Sequence, residues 1–191
     1  MEIDGARVRW EACQTLNGSW GYHRDNRDYK STDMLVRMLA DTVSKDGNLL
    51  LNIGPDGRGA VTDIDRAALN GIGEWMRLHK NAIIGASSAD GITAPEGTVL
   101  TRRGDRLYVH LLHWPFGHLH LPGLAGKVRF ARLLNDGSQI LPMRRSVNAQ
   151  VLTTEPGSYP EGTLTLVLPV RRPDVAVPVI ELFLDEDAPD A

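Results

Sequence analysis

Apolar positions follow two different periods along the chain. Between residues 31 and 80 they recur every three or four positions, as on one side of a helix. Beyond residue 98 they alternate in short runs, as in half-buried strands. In the first region Met34, Leu35, Met38, Leu39, Thr42 and Val43 form one stripe. Ser31 or Thr32 can cap that helix, Asp33 suits its first turn, and Lys45 and Gly47 close it. A second helix runs from a Thr62 or Asp63 cap through Ile64, Ala68, Ile72, Trp75, Met76 and His79. Gly71 and Gly73 oppose it, each costing about 1 kcal/mol against Ala.

Between the helices lies NLLLNIGPDGRG, residues 48–59. A continuous apolar run ended by a Gly-Pro loop reads as a parallel strand buried on both faces. Helix, strand, loop and helix make βα architecture, in which chemistry sits at the C-terminal ends of strands. Residues 6–13 alternate as a strand, Val8 and Trp10 opposing Arg7, Arg9 and Glu11. Residues 14–30 form a loop rich in aromatic and charged side chains, among them Trp20, Tyr22, His23, Arg24 and Asp25. NAIIGA, residues 81–86, reads as one more short strand.

A linker-like stretch at 87–97 leads into the alternating region. Strands are expected at 99–103, 107–113, 119–121, 128–134, 139–143, 147–152, 163–168 and 177–184. Gly104-Asp105 and Asn135-Asp136-Gly137 are hairpin turns. So many short strands predict an antiparallel sandwich. The expected division is therefore an α/β segment over 1–90 and a β-sandwich over 91–191, with an acidic, frayed tail.

Composition narrows the function. Of 191 residues 42% are hydrophobic and 24% charged, a globular balance. A net charge of −3 gives no electrostatic reason to expect nucleic acid or an anionic membrane. Cys13 is the single cysteine, so no intrachain disulfide forms. There is no leader-like or membrane-spanning apolar segment, which with Met1 as the start predicts a cytoplasmic protein. No cofactor motif is present. His110, His113, His118 and His120 lack acidic or thiol partners at ligand spacing and read as solvated strand residues, so no metal is expected.

Three motifs carry a family resemblance: WEACQTLNGSWGY at 10–22, KSTDMLVRMLADTVSKDGNLLLNIGPDGRG at 30–59 and IGEWMRLHKNAIIGA at 72–86. Together they resemble the C-terminal part of the α-L-fucosidases, the family 29 glycoside hydrolases. LYVHLLHWP, residues 107–115, is similar to the opening of that family's C-terminal sandwich. The resemblance implies the last two or three βα units of a (β/α)8 barrel followed by a β-sandwich, acting on fucose-containing glycosides. The family's nucleophilic Asp and its early fucose-holding His and Trp residues have no counterpart in this chain. The Glu of the WE motif matches Glu11, which the resemblance makes the general acid/base. Retaining hydrolysis needs such a protonated carboxyl roughly 5–5.5 Å from a second, nucleophilic one, and a flanking Trp10 would raise its pKa. Glu11 could instead pair with Arg9 or Arg24. Trp20 and Tyr22 match the family's SWGY. With Trp10 they are the expected substrate-binding aromatics, their faces suiting the apolar side of a deoxy sugar. Asp56 and Asp63 read as a turn former and a helix cap rather than as substitute nucleophiles.

Two or three parallel strands cannot close a barrel, and a sheet with open edges seeks partners. Leu49, Leu50, Leu51 and Ile53 therefore predict an obligate homo-oligomer that completes the partial barrel and assembles a weak fucosidase site across subunits. The competing expectation is a non-catalytic carbohydrate-binding or structural fragment of a fucosidase.

Overall fold

The computed structural model describes residues 2–143 and 159–185. The strand expected at 147–152 and the acidic residues 186–191 lie outside the described residues. The chain opens on a hairpin of β1 (Glu2–Ile3) and β2 (Ala6–Arg7). The strand expected over 6–13 is thereby divided. Asp4 and Gly5 turn the chain back, and the next strand, β3, runs later, over Trp10–Thr15.

Helix α1 (Thr32–Ser44) begins where expected, with the Ser31 side chain accepting the Met34 amide. Strand β4 (Gly47–Asn52) returns parallel to β3, Trp10 beside Gly47 and Thr15 beside Asn52. Helix α2 (Asp63–His79) starts at Thr62, whose hydroxyl accepts the Asp65 amide and donates to the Asp65 carboxylate at 2.8 Å. Gly71 serves a close crossing. A Cβ there would lie 2.3 Å from Thr32 Oγ1, so glycine lets α2 approach the start of α1.

Two βα units thus stand in succession, β3–α1 and β4–α2. The expected burial of β4 on both faces is not met, because within this chain only the α1 side is covered: Leu50 remains 50% exposed. NAIIGA does not form a strand. A 3-10 turn at Lys80–Ala82 prolongs α2, with Ile83 and Ile84 both donating to Lys80 O, and this buries Ala82 and Ile83 while Ile84 faces solvent. The strand instead falls at β5 (Ser87–Ser88).

The rest of the described chain is antiparallel sheet. β6 (Thr98–Arg103), β7 (Arg106–Leu111), β8 (His118–Leu121), β9 (Val128–Leu133), β10 (Leu141–Pro142), β11 (Leu164–Val167) and β12 (Val179–Leu184) follow in order. They form a five-stranded sheet, β5-β6-β7-β12-β9, and a three-stranded sheet, β10-β11-β8. Leu107, Val109 and Leu111 of β7 meet Leu119, Leu121 and Leu166 across the sandwich core, with Ile180 and Leu182 beside them. The intervening residues of β7 point the other way. Tyr108 joins Val179, Val177, Val36, Val43, Trp75 and Ala82 in a second core between the sheet and the helices. Strand β7 is buried on both faces because it supplies both cores. This second core crosses the boundary expected at residue 90.

Candidate active site

The parallel register of β3 and β4 sorts their side chains onto two faces. Trp10 and Gly47, Ala12 and Leu49, Gln14 and Leu51 lie side by side on one; Glu11 and Asn48, Cys13 and Leu50, Thr15 and Asn52 on the other. The first is the helix side. Trp10 packs over Gly47, and its indole donates to Lys45 O, just past the end of α1, at 2.9 Å. The second face is open, with Glu11, Cys13, Asn48 and Leu50 all exposed. Adjacent strand residues point to opposite faces, so Trp10 does not flank the Glu11 carboxyl as expected; its indole is engaged in closing the α1–β4 corner. Arg24, one expected partner of Glu11, pairs instead with Asp25 at 2.9 Å.

The loop leaving β3 is held down at the C-terminal end of the strand pair. Lys30 Nζ donates to Thr15 O at 2.7 Å and Asn17 O at 3.2 Å, and the Lys30 amide donates to Leu16 O. Asn17 Oδ1 accepts the Ser19 amide, and Asn26 Nδ2 donates to Ser19 Oγ. From the other strand, Asn52 Nδ2 donates to Trp20 O. Gly54 touches the loop directly. A Cβ on it would lie 2.9 Å from the Tyr22 amide nitrogen, so only glycine permits this approach. The loop therefore presents Trp20, 72% exposed, and Tyr22, 47% exposed, on a fixed rim above Thr15 and Asn52.

These contacts locate the sequence candidates relative to one another. Trp20 and Tyr22 come together on one loop; Glu11 does not join them. It shares the open face with Thr15 but stands four residues earlier, about 13 Å away along the strand. Asp56 turns its own loop, accepting the Arg58 and Ala60 amides at 2.8 and 2.9 Å, and Asp63 lies in the first turn of α2. Asn17, Asn26 and Lys30, which hold the rim, went unrecognised in the sequence. They are scattered polar residues in a stretch without periodicity, and their partners, backbone groups for Asn17 and Lys30 and the Ser19 hydroxyl for Asn26, are set by the fold.

The four strand-region histidines are dispersed. His110 is fully buried beneath α2, His118 and His120 lie on β8 of the other sheet, and His113 is exposed. Among the described residues no group of three or more His, Cys, Asp or Glu side chains is placed to hold a metal ion. Nor is any described helix long and apolar enough to cross a membrane.

Comparison with known proteins adds to this geometry. The family model described as Alpha-L-fucosidase matches residues 3–81, the segment that contains both βα units and the aromatic rim. An alpha-L-fucosidase of Branchiostoma floridae is 38% identical over 112 residues, 56% of this chain and 25% of its own. The tissue alpha-L-fucosidase of Bos taurus is 36% identical over 118 residues, 59% of this chain and 25% of its own. Among solved structures, alpha-L-fucosidase isoenzyme 1 from Paenibacillus thiaminolyticus superposes with a TM-score of 0.84 at 38% identity, covering 96% of this chain and 41% of that one. The Thermotoga maritima alpha-fucosidase gives 0.73 at 28% identity, with 96% and 42% covered. The chain spans about a quarter of the length of the curated relatives it matches.

Proposed function

We propose, from the chain's relation to the α-L-fucosidases, of which it matches a C-terminal part, that it serves the hydrolysis of α-L-fucosides. The observation that carries this reading is the rim. Trp20 and Tyr22 are exposed, yet their loop is fixed to the ends of two parallel strands, where βα folds bind substrate. An exposed indole on a fixed backbone has no role in the core and suits the apolar face of a deoxy sugar.

In this reading the two βα units form a sector of a barrel. Its open face, with Glu11, Cys13 and Leu50, is the inner wall, and further strands complete it. Copies of the chain supply those strands in an obligate homo-oligomer. Glu11 acts as general acid/base, and a neighbouring copy contributes the second carboxylate that the chemistry requires. Positioning by so few of the site's residues makes turnover slow. The test is hydrolysis of p-nitrophenyl α-L-fucoside by the purified oligomer. Activity that falls at least a hundredfold in Glu11→Gln, with assembly unchanged, supports the acid/base role; unchanged kinetics refute it.

A second reading, fucoside binding without turnover, is favoured by the position of Glu11 about 13 Å along the strand from Thr15, the end that carries the rim. Calorimetric binding of fucose that Trp20→Ala abolishes, in a protein with no hydrolytic activity, selects it.

A further inference from the structure

His79, at the end of α2, and His110, on β7, are both fully buried and lie against Trp75, with ring centroids 4.6 and 6.3 Å from it. Their hydrogen bonds fix their tautomers. His79 Nδ1 meets Trp75 O at 2.9 Å, and a carbonyl only accepts, so Nδ1 carries the proton and Nε2 a lone pair. The Thr101 hydroxyl gives its one proton to Ala82 O at 2.7 Å. The 2.9 Å contact between Thr101 Oγ1 and His110 Nε2 is therefore donated by the ring, leaving a lone pair on His110 Nδ1. Neither His79 Nε2 nor His110 Nδ1 has a hydrogen-bond partner among the described residues.

Two buried basic nitrogens without donors are poised to take up protons; the Trp75 carbonyl favours the charged His79 ring, but burial outweighs it and, among the described residues, no free carboxylate lies beside either ring. From β12 the nearest carboxylate on this face is Glu181, which is held by Arg132 at 2.7 Å and Arg106 at 3.7 Å. Tyr108 of β7 remains a neutral phenol, burial and Glu181 pushing its pKa up to about 12. β6 contributes Thr101 and, farther along, Arg103; the 3-10 turn contributes the Ala82 carbonyl and, at its exposed start beside His79, the cation Lys80. Asp33 and Asp41 of α1 are engaged by Arg37 and Lys45.

We propose that His79 and His110, with Trp75 between helix and sheet, form a proton-operated latch. It holds α2 to the five-stranded sheet while both rings are neutral and releases it when acid charges them. Release frees α2 from the second core, where Trp75 packs with Tyr108 and Val179. The direction of titration agrees. Burial lowers the basicity of both rings, that of His110 to a pKa of about 3, with His79 reinforcing the effect. In the unfolded chain both protonate near 6.5, so the unfolded state holds more protons below that pH. The stabilisation is complete above pH 6.5 and is lost as the pH falls toward the folded value. Between 6.5 and its own folded value, each ring lowers the folding constant by up to about tenfold per pH unit, His110 over the longer span.

The experiment follows the 191-residue chain from pH 7.5 to 4.5. Urea unfolding should show a folding constant that falls steeply below pH 6.5, and His110→Gln should remove about one tenfold factor per pH unit from that fall. Equal pH dependence in the two proteins overturns the proposal. Long-range proton–nitrogen spectra of the wild type decide the matter even if the variant does not fold. Rings protonated only at His79 Nδ1 and His110 Nε2 at pH 6 support the latch; a doubly protonated ring in the folded protein at that pH overturns it.

Discussion

At the scale of single residues, the rim separates roles that adjacent positions blur. Trp20 is mostly exposed and its backbone, not its indole, is tied to Asn52. Trp20→Ala should therefore abolish fucose binding by calorimetry while changing stability by no more than about 0.5 kcal/mol in urea unfolding. Gly54→Ala works through the backbone beneath. Its new methyl collides with the Tyr22 amide, so both properties should suffer, with a stability loss of about 1–3 kcal/mol alongside weakened binding. The two variants together distinguish contact with sugar from support of the loop. Trp10 shows why neighbours in sequence mislead. It belongs to the same motif as Glu11, but strand alternation sends it to the helix side, where it serves the corner after α1.

At the scale of elements, Trp75 is the peg that fixes α2. It is 3% exposed, stacks on His79 and donates to Val177 O at 2.9 Å. Trp75→Ala should cost about 3–5 kcal/mol and make the helices melt before the sandwich, as helical circular dichroism against temperature would record. Both helices, their N-caps and the hairpins at Gly104-Asp105 and Asn135-Asp136-Gly137 were legible in the sequence, because each rests on local spacing and turn chemistry; the close of α1 was not, since Asp46 takes the left-handed conformation and Gly47 opens β4. The buried side of α1 was legible only in part. Val36 and Ala40 are buried and Met34 is half exposed, since the helix meets both β4 and β6 rather than one surface. The order of strands was hidden: β12 lies between β7 and β9, a pairing that no local pattern records. The same holds for His79, which appeared only as one more position of a helical stripe. Its partner across the joint comes from a different element thirty-one residues later.

At the scale of the molecule, the open face of β3 and β4 is the feature that asks for company. A parallel pair covered on one side, with Leu50 half exposed, departs from the rule that such sheets are enclosed. Light scattering at micromolar concentration should accordingly give a mass at least twice that of one chain, and Leu50→Lys should shift it toward the monomer. The bond from Trp75 to Val177 spans 102 residues, and this has a bearing on biosynthesis. A ribosome delivers the chain from its N-terminus, so α1 and α2 emerge well before the platform they rest on exists. Until the last strand slots between β7 and β9, the apolar sides of both helices have no native surface to cover them. Long-range closure of this kind is slow, and exposed intermediates stick to one another. In stopped-flow refolding the Trp75 signal should therefore develop together with the five-stranded sheet and not ahead of it. The segment that carries the aromatic rim is thus made before the sheet on which its neighbouring helices depend.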